Sequence, residues 1–282
     1  MEPVAAPAPR ISRADLVGVV LAAGTGTRLD PLTQLLPKGL CPVGNRALVD
    51  LALDRIGPLV GSLAVNAHHH GEQLRSHLRE QWSEAVTVSL ELDEPLGTAG
   101  GIGRLRSWID GRSVVVVNAD SWTPTPLDAL LEGWDGQTVR VMVNDESTFD
   151  PSSKIVASTL PWRIVERLED KPTGLYEVVW REEFARGDLE VVSHEGVFID
   201  CGTPLDYLRA NLEVVAMVGD SVVAEEAEIG ASATVTSSVI GAGARVFGDV
   251  EASVVWPGQV VEPGERLIRS IRAGTSVTVG PL

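Results

Sequence analysis

Apolar residues recur along the first two hundred positions in short β-branched runs, separated by stretches of helical spacing. The run Leu16-Val-Gly-Val-Val-Leu-Ala ends in the Gly/Thr-rich stretch Gly24-Thr-Gly-Thr27, the pattern of a buried parallel strand. Residues 46–56 place Leu48, Leu51, Ala52 and Ile56 near helical spacing, and residues 62–67 predict a second strand. In residues 72–82, Leu74, Leu78 and Trp82 stand four apart and predict an amphipathic helix. Residues 86–92 alternate like a strand, 98–108 predict a helix, and 114–117 form an apolar strand ending at Asn118-Ala-Asp120. Such alternation implies βαβ units and a mainly parallel sheet. Ligands of these sheets sit beyond the carboxyl ends of the strands, where Gly24–Thr27 and Asp120 both fall.

After about residue 217 the pattern changes. Ser238-Val-Ile-Gly-Ala-Gly-Ala-Arg-Val246 matches Ser253-Val-Val-Trp-Pro-Gly-Gln-Val-Val261 in its Ser, Val and Gly positions, and Gly230-Ala-Ser-Ala-Thr-Val235 resembles Gly241-Ala-Gly-Ala-Arg-Val246. Small residues with regularly spaced aliphatic ones suit a left-handed parallel β-helix of hexapeptide type, whose coils bury their apolar faces on one another. A few coils leave an open edge, so a homo-oligomer formed through this C-terminal segment is expected. The expected organisation is a flexible tail over 1–15, an α/β domain over 16–217 and the β-helix segment over 218–282.

Composition narrows the function. With 23 basic and 39 acidic side chains the chain carries a formal charge of −16, which disfavours nucleic acid and acidic membranes as partners. No apolar run approaches the roughly 20 residues of a membrane span, and Ala/Pro-rich residues 1–13 lack the features of a secretory signal. Cys41 and Cys201 have no metal-like spacing, which suits free thiols in a reducing, cytoplasmic setting. Of three lysines, Lys38, Lys154 and Lys171, two lie where a phosphate would want them.

The densest chemistry lies in Leu21-Ala-Ala-Gly-Thr-Gly-Thr-Arg-Leu-Asp-Pro-Leu-Thr-Gln-Leu-Leu-Pro-Lys38. Gly24 and Gly26 would let backbone N–H groups approach a polyphosphate, Arg28 adds a planar fork for phosphate oxygens, and Lys38 adds a mobile point charge. Gly-x-Gly alone also fits a plain tight turn. The whole string closely resembles the signature of the sugar-phosphate nucleotidylyltransferases, or nucleoside-diphosphate-sugar pyrophosphorylases. The resemblance continues through Pro42-Val-Gly44, Val65-Asn-Ala-His-His69, Glu94-Pro-Leu-Gly-Thr-Ala-Gly-Gly101, Asn118-Ala-Asp120 and Phe198-Ile-Asp-Cys-Gly-Thr-Pro204, covering about residues 16–215.

That resemblance implies a Rossmann-like, GT-A-like α/β fold and a Mg²⁺-dependent reaction between a nucleoside triphosphate and a sugar 1-phosphate. It implies that Ala22, Ala23, Gly24, Thr25, Gly26 and Thr27 hold the nucleotide, with Gly97, Thr98 and Gly100 against the base. Arg28 and Lys38 would be catalytic, and Asp120 and Asp200 would be the metal ligands. Two carboxylates suit Mg²⁺, which prefers oxygen donors and keeps positions for water and phosphate. The competing reading of Asp120 is a helix cap after a strand, and the match of both Asp120 and Asp200 favours the metal role. Glu169-Asp-Lys171-Pro resembles the family's Glu-Lys-Pro element with one residue too many; in that register Lys171, with Gly174 of a following strand 173–176, would face the sugar phosphate. His68, His69 and His70 are adjacent and cannot all face one ion, so a loop entering a helix is the better reading.

Other functions fare less well. A noncatalytic regulatory relative would have no need of Arg28, Lys38, Asp120 and Asp200, yet all four are present. An acyltransferase would want a basic histidine in the repeat segment, and none follows His194. A dinucleotide-binding oxidoreductase would need a third glycine where Leu29 stands. The Pro-Leu-Gly-Thr-Ala-Gly segment looks most like mannose-1-phosphate guanylyltransferases, which implies GTP and mannose 1-phosphate or a similar sugar. The alternative is a uridylyltransferase for an amino-sugar 1-phosphate.

Overall fold

The computed structural model describes residues 11–145 and 148–279, and the chain divides into two compact units. One contains the chain up to Gly24, Ala52–Ala119 and Thr123–Phe198; the other contains Thr25–Leu51, Asp120–Trp122 and the chain from Ile199 onward. The division therefore differs from a cut at residue 217, because the loop after the first strand and the Asp120 segment group with the repeat segment.

Among the described residues the first unit is built on a seven-stranded sheet. Its strands are β1 (Leu16–Leu21), β2 (Ser62–Ala67), β3 (Val86–Leu90), β4 (Ser113–Asn118), β5 (Val139–Asn144), β6 (Ile155–Leu160) and β7 (Leu189–His194). The spatial order is β7-β5-β6-β4-β1-β2-β3, parallel throughout except for β6, which runs antiparallel to both neighbours. The β-branched runs are central because both faces are covered: Val17, Val19, Val114 and Val116 pack on one face with Ile102, Ile109, Ile164 and Val179, and Val20, Val115 and Val117 on the other face are buried as well. Helix α1 (Leu48–Ile56) is preceded by a two-residue strand, Arg46–Ala47, and α2 (Gly71–Trp82) and α3 (Gly97–Arg104) begin within a residue of their predicted starts.

Two expectations fail locally. Residues 173–176 are not a strand: Tyr176–Trp180 is a turn of π-helix. The Thr173 carbonyl is drawn to the amino terminus of α3, accepting from Ala99 and Gly100 N–H, so the chain there cannot enter a ladder. The tail expected over 1–15 is structured at its end. Arg13–Asp15 forms a 3-10 turn, and the Arg13 guanidinium donates to the carbonyls of Gly57 and Val60. Residues 1–10 lie outside the described residues.

The second unit contains the coiled segment and helix α4 (Pro204–Val218), which Thr203 caps at its start and Gly219 at its end. Three parallel sheets stack here, as a β-helix requires, with Val239 opposite Val254, Arg245 opposite Val260 and Asp249 opposite Arg266. The Ser238/Ser253 repeat is a coil-to-coil register. Ser253 N–H donates to Ser238 Oγ and Ser270 N–H to Ser253 Oγ, while each of these hydroxyls donates back to a carbonyl two residues earlier. Ile240, Val246, Val250, Val255, Val261 and Leu267 fill the interior. At the last coil Thr275–Thr278 pairs antiparallel with Ser270–Ala273 and covers that edge. Among the described residues no helix is long and apolar enough to cross a membrane.

Candidate functional site

In the second unit the loop after β1 is shaped by Gly26, whose φ of 65° is the left-handed conformation that glycine tolerates. The Gly26 carbonyl accepts from Leu29 N–H and from the Thr33 hydroxyl, which gives the Pro-Leu-Thr element a local purpose. A Cβ on Gly26 would stand 2.9 Å from Thr33, whereas one on Gly24 would meet nothing. Leu29, standing where a dinucleotide fingerprint would have its third glycine, is fully buried.

Lys38 opens a 3-10 turn over Lys38–Leu40 after Pro37, and its side chain is only 9% exposed. Its ammonium donates to Asp120 Oδ2 at 2.7 Å and lies 3.4 Å from Asp200 Oδ1. The two carboxylates are neighbours because Ser121–Trp122 and Ile199–Asp200 pair as a short antiparallel ribbon, with Asp200 opposite Ser121 and Cys201 N–H donating to the Asp120 carbonyl. Burial alone would lower the pKa of Lys38, but the carboxylates, Asp120 foremost, outweigh it and hold the ammonium above its ordinary value. The Arg28 guanidinium lies 3.7 Å from Asp200 and is 71% exposed, so this contact costs little to exchange for a ligand. The structure thus brings Arg28, Lys38, Asp120 and Asp200 together. Cys41 and Cys201 are free and buried beside them; burial pushes the Cys41 thiol up to about 12 and raises Cys201 as well, which disfavours the thiolate at both positions.

The loop carrying Lys38 is anchored to α4 and the coils within the same unit. Gly44 N–H donates to Asn211 Oδ1, Asn45 Nδ2 donates to the Ile240 carbonyl, and Trp256 Nε1 donates to the Tyr207 hydroxyl, which in turn donates to the Pro42 carbonyl. Tyr207 is fully buried.

In the first unit Gly97, Thr98 and Gly100 interlock with Lys171, Thr173 and Gly174. Thr98 Oγ1 accepts from Leu175 N–H, Gly97 has a φ of 68°, and a Cβ on Gly100 would lie 2.1 Å from the Lys171 carbonyl. The glycines of this motif therefore permit close backbone packing. A Cβ on Gly174 would strike the Glu177 carboxylate. The Lys171 ammonium pairs with Glu169 at 2.6 Å beside a cleft of about 250 Å³ lined by Ala99, Arg167, Leu168 and Thr173 among others. Ala22 N–H, at the end of β1, donates to Asn66. His68 Nδ1 bonds the Glu91 carbonyl, and His70 precedes α2 with a φ of 50°, so the histidine run enters a helix as expected. Among the described residues no group of three or more His, Cys, Asp or Glu side chains could hold a metal. Sequence reasoning assigned no role to Asn66, Glu91, Tyr207 or Trp256. Asn66 lies inside a motif that carried the resemblance, and Glu91 lies in the alternating stretch 86–92 in phase with Thr87 and Ser89, a position that gives no sign of its burial.

Residues 17–175, more than half of the 282, match the Nucleotidyl transferase family. The chain belongs to that family. The relatives of this family member agree with the sugar-phosphate nucleotidylyltransferase likeness. It is 34% identical over 147 residues to N-acetylmuramate alpha-1-phosphate uridylyltransferase of Caulobacter vibrioides, covering 49% of this chain and 61% of that protein. It is 25% identical over 222 residues to mannose-1-phosphate guanylyltransferase catalytic subunit beta of Dictyostelium discoideum, covering 67% and 62%. The matched part thus spans less than two thirds of these curated relatives. Among solved structures, HddC from Yersinia pseudotuberculosis complexed with GMP-PN shares the fold with a TM-score of 0.56 and 21% identity, over 70% of this chain and 99% of that one.

Proposed function

We propose that this chain transfers a nucleotidyl group from a nucleoside triphosphate to a sugar 1-phosphate. The observation that carries the reading is the buried Lys38 ammonium held between Asp120 and Asp200, with the exposed Arg28 beside it, in a member of a nucleotidyl transferase family. In the reaction an oxygen of the sugar phosphate attacks the α-phosphorus. A P–O bond forms there, the bond to the bridging oxygen of the β-phosphate breaks, and pyrophosphate leaves with that electron pair. No protein nucleophile is needed, so the chain's task is alignment and charge neutralisation. Lys38, kept protonated by its neighbours, neutralises charge between the entering phosphate and the α-phosphate. Arg28, free to leave its long contact with Asp200, stabilises the departing pyrophosphate.

Asp120 and Asp200 would hold Mg²⁺: both are half-exposed hard oxygen donors, and both reach one ammonium, so they are close enough to share an ion. When bound, such an ion polarises the phosphoryl oxygen. Ala22, Ala23 and Gly24 at the end of β1, the Thr25-Gly-Thr27 turn, and the Gly97–Gly100 start of α3 are assigned to the nucleotide. Lys171 and Gly174 are assigned to the sugar phosphate.

For substrates, we infer GTP with mannose 1-phosphate or a similar sugar, from the Pro-Leu-Gly-Thr-Ala-Gly segment and the guanylyltransferase relative. The uridylyltransferase relative, at 34% identity, favours a second reading, UTP with an amino-sugar 1-phosphate. A pyrophosphate-release screen of the common nucleoside triphosphates against hexose, heptose and amino-sugar 1-phosphates, with Mg²⁺, separates them. The expected result is release with GTP and a mannose-like phosphate. Release confined to UTP and an amino-sugar phosphate would establish the second reading, and no release from any pair would reject both.

A further inference from the structure

Two fully packed polar side chains in the first unit bridge backbone segments that the proposed function assigns to the nucleotide. Asn66, at 2% exposure near the end of β2, accepts through Oδ1 from Ala22 N–H and donates through Nδ2 to Glu91 Oε1. Glu91, at 3% exposure just past β3, accepts through Oε2 from Leu96 N–H, at the threshold of α3. All three bonds are 2.7 Å. The result is an unbroken path from the end of β1 to the start of α3 through two side chains. Gly101 is required by it, since a Cβ there would lie 2.5 Å from Asn66 Nδ2 and 3.0 Å from Glu91 Oε1. A buried acid in this arrangement has one purpose compatible with its cost: both oxygens accept, and each donor it satisfies would otherwise be left unpaired away from water.

Resting on the reading of Ala22–Gly24 and Gly97–Gly100 as nucleotide-facing, we propose that Asn66 and Glu91 are positioning residues that set the spacing of these two segments and thereby the affinity for the nucleoside. They act through the backbone amides that they orient, and each side-chain oxygen and nitrogen of the pair makes one of the three bonds.

The donor and acceptor directions make the proposal testable by exchange. Glu91→Gln keeps the shape but supplies an NH₂ group that must face either Asn66 Nδ2 or Leu96 N–H, donor against donor. Asn66→Asp supplies a second acceptor that faces Glu91, acceptor against acceptor. The double variant, Asn66→Asp with Glu91→Gln, restores every bond with the charge moved from position 91 to position 66. The new carboxylate at position 66 would accept from Ala22 N–H and from the new amide at position 91, whose oxygen would accept from Leu96 N–H.

Steady-state kinetics with the pair found in the screen, together with melting temperatures, read the outcome. Each single variant is expected to raise KM for the nucleoside triphosphate about tenfold, about 1.4 kcal/mol, while kcat and KM for the sugar phosphate stay within about twofold, and the double variant is expected to recover the wild-type nucleotide KM. Equal losses in both substrates, unchanged nucleotide KM in well-folded singles, or a double variant as impaired as the singles would overturn the proposal. Should the singles fail to fold, the double variant decides alone. Wild-type nucleotide KM supports the proposal, and a raised KM or a failure to fold overturns it. A wild-type chain that turns over no triphosphate would instead remove the functional reading on which the proposal rests, a result visible before any variant is made.

Discussion

Replacing Asp120 or Asp200 with Asn is expected to lower kcat by at least about 10²-fold, and Lys38→Ala is expected to remove about 2–4 kcal/mol of transition-state stabilisation. Each substitution removes charge from the ammonium and carboxylate set that the ribbon Ser121–Trp122/Ile199–Asp200 assembles. Folding should survive the aspartate changes, because both carboxylates are partly exposed, at 39% and 46%, and Lys38 retains one anionic partner in either variant. Lys38→Ala leaves two carboxylates facing each other without their shared cation, so its melting temperature is expected to fall modestly while its turnover collapses. Arg28→Ala should behave as a kinetic variant with an unchanged melting temperature, since its contact with Asp200 is long and exposed. The measurements are kcat and kcat/KM under saturating Mg²⁺, set against thermal denaturation. A variant with altered stability and unaltered kinetics would take its residue out of the proposed machinery.

Truncation after Val218 is expected to abolish activity and to lower the melting temperature sharply. The coils are joined to the Lys38 loop within one compact unit, so their removal does not leave that loop in place. The truncated chain loses the Ile240 carbonyl that Asn45 donates to, and it loses Trp256, which packs edge-on against Tyr207 and donates to its hydroxyl. Removing a buried Trp side chain alone costs about 3–5 kcal/mol, a large part of a typical domain's stability. Trp256→Phe is the milder comparison: it keeps the apolar contact and deletes one donor, for about 1 kcal/mol. Denaturation and light scattering of the truncated chain check the expectation. A truncated chain as stable and as active as the full one would contradict it, and a change of mass without loss of activity would assign the coils to assembly instead.

The strands and helices of the first unit were legible because both signals that define them are strong: β-branched runs for buried parallel strands, and apolar residues three and four apart for α2. The stretch at 173–176 was not, because its conformation is decided by a partner distant in sequence, the amino terminus of α3 that takes the Thr173 carbonyl. The resemblance named Arg28, Lys38, Asp120 and Asp200, but the sequence holds no trace of what makes the aspartates neighbours, a ribbon whose two strands are only two residues long. Asn66 and Glu91 were hidden for another reason. Glu91 stands in phase with the polar positions of an alternating stretch, where a side chain is expected to face water, and nothing in the strand holding Asn66 marks the partner that it meets in the interior. Likewise, the division of the chain follows from side chains such as Tyr207 and Trp256, whose partners no periodicity reveals.

The central claim, that the Lys38, Asp120 and Asp200 set performs nucleotidyl transfer, is tested most directly by ³¹P NMR of wild type and Asp120→Asn with Mg²⁺ and the active substrate pair. The expected spectrum for wild type shows the triphosphate and sugar phosphate resonances replaced by those of a diphosphate-linked nucleotide sugar and pyrophosphate in equal amounts, with the Asp120→Asn spectrum unchanged over the same interval. Appearance of inorganic phosphate and a free nucleoside diphosphate, or equal conversion by the variant, would contradict the account.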